Sequence, residues 1–221
     1  FNKMINFILN LKIIYFLLFL NLPGYSEIEY LNNYQIIGTK NFLHGYDTIN
    51  QDGSYNAVIE IPAGTNEKWE ISKDGKILEL EIKNGQPRIV DYISYPFNYG
   101  FLPKTLLPLS EGGDGDALDI IVLSQKELTK ASVVSVKIIG MLQIKDQGEQ
   151  DNKVISVLNN SRFSKLGNIN ELEENYPGII DIIQSWFSNY KGTKINLERI
   201  ADRKETIQFI MNSKKLYDKN N

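Results

Sequence analysis

The sequence predicts an α+β fold in which a mainly antiparallel sheet or barrel is followed by helices. Between residues 55 and 157, short runs of alternating apolar and polar residues are bounded by glycine, proline and asparagine, a pattern typical of β-strands. From about residue 177 the apolar residues recur every three to four positions, which is typical of amphipathic helices. Strands that precede helices, instead of alternating with them, indicate this fold class.

Composition limits the chemistry that the protein can perform. The chain has 221 residues and a net charge of −3, which gives no reason to expect nucleic acid or an anionic membrane as a partner. It has no cysteine, so disulfides, thiolate catalysis and cysteine metal sites are excluded. The single histidine, His44, excludes a multi-histidine zinc site, and we expect it to be a surface or packing residue. Catalysis would therefore depend on Asp, Glu, Lys, Arg and Tyr.

The first 26 residues differ from the rest of the chain. A basic start precedes an apolar run at 13–22, and the small residues Gly24 and Ser26 have the spacing of a cleavage site. Because the run is short for a transmembrane helix, we expect residues 1–26 to be a signal peptide and the mature protein to be periplasmic or secreted, not embedded in a membrane. The alternative is a start-site artefact or a fragment, which would leave a cytoplasmic protein.

The rest of the chain divides into an extension and one domain. Residues 27–54 are mixed and polar and predict an N-terminal extension, whereas no repeat or linker divides residues 55–221. Two helices are predicted in this domain, one from Pro177 to Tyr190 that ends at a left-handed Gly192, and one that begins with a capping box at 202–205. The strands are predicted at 56–61, 68–71, 77–82, 118–123, 131–140, 141–145 and from residue 153, with a hairpin turn at 73–76.

The segment that organises the predicted site is 111–123, a glycine-rich turn that leads into an apolar strand. Asp114, Asp116 and Asp119 lie within it, and the first two have the spacing that places side chains on one face of extended chain. Carboxylates this close repel one another unless a cation lies among them. A site made of carboxylates favours a hard divalent ion, Mg²⁺, Mn²⁺ or Ca²⁺, over Zn²⁺.

Two other structures are alternatives to a metal site at this turn. A polar turn whose aspartates bond to their own backbone would have the same composition. An EF-hand does not fit, because its sixth position would be Asp119 in place of glycine and its twelfth would be Gln125 in place of glutamate.

A second acidic turn repeats this pattern further along the chain. Asp146 and Asp151 are placed to complete a metal shell, and Lys153 to meet an anion that the metal carries. Each of the other polar residues, taken alone, also has a purely structural interpretation. It could lie on the solvent face of a sheet, in a packed aromatic corner or in the core face of a helix. Acids that bind divalent cations, together with Lys, Arg and Tyr that bind phosphate oxygens, indicate a metal-assisted phosphoryl-transfer site.

Over residues 55–215 the sequence resembles the soluble family I inorganic pyrophosphatases. The signature Asp-Gly-Asp-x-Leu-Asp at 114–119 carries the resemblance, although Ala117 stands where that signature usually has proline. The other matching segments, in order, are 58–62, 68–70, 95–100, 146–153 and 190–191. The resemblance implies a five-stranded OB-type barrel with helices packed beside it, several bound Mg²⁺ ions, with Mn²⁺ an alternative, a homo-oligomer, and hydrolysis of inorganic pyrophosphate to two orthophosphates.

The resemblance also implies a role for individual residues. Asp116 would be the general base that deprotonates a metal-bound water. The metal ligands would be Asp114, Asp119 and Asp151, with Asp146 and Glu60 for a metal that arrives with the substrate. Phosphate would be bound by Lys68, Arg88, Tyr99, Lys153, Tyr190 and Lys191, and Glu70, Tyr95 and Asn98 would support the site.

Two other functions remain open on the residues alone. A metal-dependent phosphodiesterase or nuclease would use similar acids, although an acidic chain without a basic track is a poor binder of nucleic acid. A divalent-cation-binding module without activity would need the acids but not Lys68, Lys153 and Lys191.

Overall fold

The computed structural model describes residues 28–146, 148–192 and 195–221, so the predicted signal peptide at 1–26 lies outside the described residues. None of the helices in these ranges is both long and apolar enough to cross a membrane. The helices are α1 (Ile169–Asn175), α2 (Ile179–Asn189) and α3 (Arg203–Asn220). The strands are β1 (Ile28–Asn32), β2 (Gln35–Gly38), β3 (Tyr55–Ile61), β4 (Trp69–Ile71), β5 (Ile77–Leu80), β6 (Ile82–Lys83), β7 (Gln86–Pro87), β8 (Asn98–Phe101), β9 (Asp119–Leu123), β10 (Val133–Asp146), β11 (Glu149–Gln150), β12 (Lys153–Leu158) and β13 (Asn196–Ala201).

Five strands are joined by a closed ring of pairings. β10 pairs antiparallel with β3 and with β12, β3 pairs antiparallel with β8, and β8 pairs antiparallel with β9. The ring closes through β9 and β12, which are parallel. The long β10 reaches beyond the ring, where it also pairs with β11 and β13. The predicted α+β class with a mainly antiparallel five-stranded barrel is confirmed.

A second antiparallel sheet, in the order β1-β2-β5-β4, includes the beginning of the predicted extension. Its β4–β5 hairpin is the one that the sequence predicts. Ile36 and Phe42 are fully buried, and the Thr48 hydroxyl donates a hydrogen bond to the carbonyl of Pro103 at 2.8 Å. His44 lies against the Tyr217 side chain of α3, so it is a packing residue. Residues 28–54 are therefore packed onto the domain.

Several element boundaries differ from the sequence prediction. The strand predicted at 77–82 ends at Leu80, because the chain turns into the separate β6–β7 hairpin. The segments 131–140 and 141–145 form parts of one strand, although a register shift interrupts its pairing with β12 just before Gly140. β13 lies between two helices and was missed, since its side chains are mostly exposed or half-buried and its pairing with β10 holds it.

Helix α2 packs an aromatic cluster that supports the site. Trp186 is fully buried, with its ring centroid 4.3 Å from that of Tyr95 and 5.6 Å from that of Phe97. Its indole N–H donates a hydrogen bond to the carbonyl of Ile93 at 2.9 Å. The packed aromatic corner that the sequence left open is therefore present, and it fixes the segment that leads into β8.

Replacing Trp186 with alanine is expected to lower the free energy of unfolding by about 3–5 kcal/mol, because it removes a fully buried ring and its hydrogen bond to the backbone. Urea or thermal unfolding measures the loss. The matched control is Ile182→Ala, since Ile182 lies on the same helix and is 52% exposed, and it should change the stability by no more than about 0.5 kcal/mol. Similar losses in both variants would contradict this account of the cluster.

Candidate active site

A cavity of about 230 Å³ is bounded by residues from both sheets and from the end of α2. Three uncharged residues that were not predicted as site residues, Ile71, Phe101 and Ala117, belong to its lining. Phe101 lies two residues after Tyr99 on β8 and therefore on the same face of the strand, so the strand periodicity of the sequence predicts its position. Twelve of the fifteen predicted site residues also line it: Glu60, Lys68, Glu70, Arg88, Tyr99, Asp114, Asp116, Asp119, Asp151, Lys153, Tyr190 and Lys191.

The other three predicted residues lie outside the lining. Asp146 contacts the Lys191 ammonium, which does line the cavity. Tyr95 packs behind the Tyr99 ring at a centroid distance of 5.6 Å. Asn98 connects neighbouring segments of the backbone. Its Oδ1 accepts hydrogen bonds from backbone N–H groups of two loops, and its Nδ2 donates a hydrogen bond to the carbonyl of Val122. Tyr95 and Asn98 thus contact residues beside the cavity, and their supporting role stays a prediction.

The central acidic turn is shaped by its glycine and by one of its own aspartates. Gly115 has φ of 90°, in the region that favours glycine, and its N–H donates to the carbonyl of Leu107 at 2.9 Å. Asp114 Oδ1 accepts a hydrogen bond from the N–H of Asp116 at 2.9 Å. The turn thus has a side-chain-to-backbone hydrogen bond, as expected for a simple polar turn. Its carboxylates nevertheless line the cavity.

Two lysine ammonium groups form ion pairs with carboxylates of the predicted site. Lys153, which is 2% exposed, contacts both Asp119 and Asp151. Lys191 contacts Oδ2 of Asp146, and the other oxygen of that carboxylate is buried without a partner among the described residues. Within the described ranges no three acidic or histidine side chains are grouped closely enough to hold a metal. The ammonium groups neutralise the carboxylates in this arrangement.

Burial and neighbouring charge shift several pKa values in the cavity. Burial, and then the charges of Asp114 and Asp119, raise the pKa of Asp116 above its ordinary value. Burial also raises the pKa of Glu60 to about 8, although its Oε1 accepts the N–H of Ile71 at 2.9 Å. The charged forms of these carboxylates are disfavoured, and a bound cation would stabilise them.

The residue types fit a hard divalent cation. The acidic side chains that line the cavity supply carboxylate oxygens only, and Asp146, which contacts Lys191, has a buried oxygen without a hydrogen-bond partner among the described residues. Asp114, Asp119 and Asp151 are contributed by a turn, the start of β9 and the residues before β12, so the strands of one ring hold them. A cation among them would replace the Lys153 charge that balances Asp119 and Asp151.

Two further cationic residues of the cavity lining lie next to the second sheet and to the separate β6–β7 hairpin. Lys68 precedes β4 and pairs with Glu70 at 2.9 Å. Arg88 follows β7 and pairs with Glu81 at 2.5 Å. Burial alone would lower the pKa of Lys68, but Tyr95, Glu70 and further acidic neighbours together hold it above its ordinary value. The ammonium group therefore remains charged.

Tyr190 both packs on the core face of the helix and lines the cavity, the two positions that the sequence allowed. Its ring stacks on Trp186 with centroids 4.3 Å apart and an interplanar angle of 13°, so it is the last aromatic residue of the helix stripe. It also lines the cavity next to Lys191. Gly192, with φ of 66°, ends the helix as predicted.

Residues 57–218 match the family described as inorganic pyrophosphatase. The chain belongs to the inorganic pyrophosphatase family. The inorganic pyrophosphatase of Saccharolobus solfataricus is 34% identical over 169 residues, which cover 72% of this chain and 91% of the relative. The mitochondrial inorganic pyrophosphatase of Saccharomyces cerevisiae is 32% identical over 189 residues, which cover 74% of this chain and 61% of the relative. The resemblance found in the sequence is confirmed.

Solved structures of the same family share the fold. The type I inorganic pyrophosphatase of Plasmodium falciparum has a TM-score of 0.79 and 27% identity, with 90% of this chain and 74% of that one covered. The Thermus thermophilus enzyme has a TM-score of 0.68 and 29% identity, with 80% and 99% covered. Matches to relatives from Caenorhabditis elegans, yeast and mouse span only 35%, 61% and 46% of those longer proteins.

Proposed function

We propose that this chain hydrolyses inorganic pyrophosphate to two orthophosphates with the aid of Mg²⁺. The observation that carries the proposal is one small cavity in which clustered carboxylates face lysine, arginine and tyrosine side chains. Carboxylates suit divalent cations, and the basic groups suit phosphate oxygens. A volume of about 230 Å³ favours a small anion over a nucleotide chain.

The carboxylates divide into metal ligands and a base in this proposal. Asp114, Asp119 and Asp151 hold Mg²⁺, and Asp146, with Glu60, receives an ion that arrives with the substrate. Bound Mg²⁺ supplies charge neutralisation for the leaving phosphate and makes a nearby water more acidic. Asp116 then accepts the proton of the attacking water. Its raised pKa suits this role, because a stronger base holds the proton more firmly.

The basic and phenolic residues position the substrate. Lys68, Arg88 and Lys191 line the same cavity, so a two-phosphate anion can be held by several positive charges. Hydrogen bonds from charged donors to phosphate oxygens are the strong ones. Lys153, Tyr99 and Tyr190 complete this set of phosphate-binding groups, and Glu70 restrains Lys68 through their ion pair.

The rival functions predict different behaviour in one assay. Wild-type protein is incubated with pyrophosphate and Mg²⁺, and orthophosphate is measured with time. In separate reactions a phosphodiester or single-stranded DNA replaces pyrophosphate, and cleavage is measured by chromatography of the products, because cleavage of a diester releases no orthophosphate. Release of orthophosphate from pyrophosphate, without cleavage of either diester, supports the proposal. No release from pyrophosphate overturns it, and cleavage of the diesters would favour the phosphodiesterase or nuclease. The homo-oligomer and the exported location remain predictions that this assay does not address.

Lys191→Ala is expected to weaken substrate capture while leaving Mg²⁺ binding largely intact. The change removes a charged donor to phosphate, so the KM for pyrophosphate should rise about tenfold or more. It also frees Asp146 from its ion pair, so the carboxylates keep their affinity for cations. Phosphate-release kinetics and a calorimetric Mg²⁺ titration measure the two effects. Equal losses in both would contradict the role assigned to Lys191.

A further inference from the structure

Glu81 does not line the cavity, but its carboxylate holds a residue that does. Arg88 Nη1 donates a hydrogen bond to Glu81 Oε2 at 2.5 Å. The two side chains are only 29% and 27% exposed, so the ion pair is shielded from solvent on most sides. Such a pair restrains a guanidinium more firmly than a fully solvated surface pair does.

The backbone ties the same two residues to Lys68 in a closed cycle. The N–H of Glu81 donates to the carbonyl of Lys68 at 2.9 Å, and the N–H of Lys68 donates to the carbonyl of Arg88 at 2.9 Å. The N–H of Arg88 completes the cycle by donating to the carbonyl of Glu81 at 2.8 Å. Glu81 is thus connected through the backbone to two cationic residues that line the cavity, Lys68 and Arg88.

A short hairpin fixes the distance between Glu81 and Arg88. Ile82 pairs with Pro87 and Lys83 pairs with Gln86 in β6 and β7. The turn residues Asn84 and Gly85 have φ of 54° and 76°, as a tight hairpin turn with two left-handed positions requires. Glu81 and Arg88 come directly before and after this hairpin, so their side chains form an ion pair at its base.

We propose that Glu81 is a positioning residue that orients Arg88 toward the substrate, an inference that rests on the proposed function. A guanidinium has five N–H donors in a rigid fork. Glu81 engages one side of that fork and leaves the remaining donors for a phosphate in the cavity. Without the carboxylate, Arg88 would sample other rotamers, and binding of the substrate would have to order it again.

Glu81→Ala is therefore expected to raise the KM for pyrophosphate about 3- to 10-fold, with kcat changed less than about twofold. Glu81→Gln keeps an oxygen acceptor for Arg88, so its KM should lie closer to that of the wild type. The matched control is Glu198→Ala, which removes the carboxylate of a surface ion pair with Lys145 and should leave both parameters unchanged.

A double-mutant cycle separates orientation of Arg88 from a general structural effect. In an Arg88→Ala background, Glu81→Ala should cause no further rise in KM, because the group that Glu81 positions is gone. Additive effects, or a KM for Glu81→Ala equal to that of active wild type, would overturn this inference and leave the proposed function in place. Wild type that releases no phosphate would overturn both. Thermal unfolding of each variant identifies any loss of folding. If Glu81→Ala does not fold, Glu81→Gln replaces it in the cycle, and its smaller rise in KM should likewise vanish in the Arg88→Ala background.

Discussion

Asp116→Asn is expected to lower kcat for pyrophosphate hydrolysis by about 10²- to 10⁴-fold while Mg²⁺ and pyrophosphate still bind. Asparagine keeps the shape and the polarity of the side chain, but it cannot accept a proton from water. Asp116 lines the cavity, and its N–H is bound to Asp114, so the substitution leaves the turn intact. The loss should therefore appear in the chemical step.

Phosphate release under saturating substrate measures this loss, and calorimetric titration with Mg²⁺ measures binding. Asp181→Asn is the matched control, since Asp181 is an exposed aspartate on α2 and should leave kcat unchanged. A variant that hydrolyses pyrophosphate within about threefold of the wild-type rate contradicts a base role for Asp116. A variant that loses Mg²⁺ affinity in proportion to kcat identifies Asp116 as a metal ligand instead.

The residues of the candidate site were largely predictable because they lie in short, local patterns. The acidic turn at 114–119 is defined by glycine and aspartate spacing, and its neighbours in sequence become its neighbours in space. The contact of Lys153 with Asp119 was not predictable, because the two residues are 34 positions apart and meet only through the parallel pairing of β12 with β9. Glu81 was missed for a similar reason, since nothing in its own segment shows that the chain turns back to Arg88.

The fold was predictable where one face of an element is buried continuously. β3, β9 and β12 are rich in β-branched residues and almost wholly buried, and their predicted positions are confirmed. β1 and β13 are short and mainly exposed, so pairing with neighbouring strands, and not their own pattern, stabilises them. Helix α1 could have been found, because the Asn168 side chain accepts the N–H of Glu171 in a capping arrangement that the sequence contains.

Lys153→Met is expected to destabilise the protein far more in a chelator than in Mg²⁺. The ammonium of Lys153 is almost fully buried and contacts Asp119 and Asp151, which would otherwise face each other without a counter-charge. Removing one partner of a buried ionic group costs about 3–5 kcal/mol, because the remaining charge is left without compensation. Methionine has a similar length, so the loss reports the charge more than the volume.

Thermal unfolding in EDTA and in Mg²⁺ measures this difference. Lys145→Met, which breaks the half-exposed pair with Glu198, is the control and should cost no more than about 1 kcal/mol in either buffer. Mg²⁺ should raise the melting temperature of Lys153→Met more than that of wild type, because the cation binds the folded carboxylates and takes over their neutralisation. Equal destabilisation in both buffers would contradict an exchange between lysine and cation.

Such an exchange would connect cation binding to substrate binding through one side chain. While Lys153 is paired with Asp119 and Asp151, its charge is committed to those carboxylates. A divalent cation that neutralises the two aspartates releases the ammonium, which then has only the anion in the cavity to balance it. Mg²⁺ should therefore increase the affinity for pyrophosphate less in Lys153→Met than in wild type. Calorimetric titrations with imidodiphosphate at two Mg²⁺ concentrations test this, and an undiminished Mg²⁺ effect in the variant would assign the coupling to other residues.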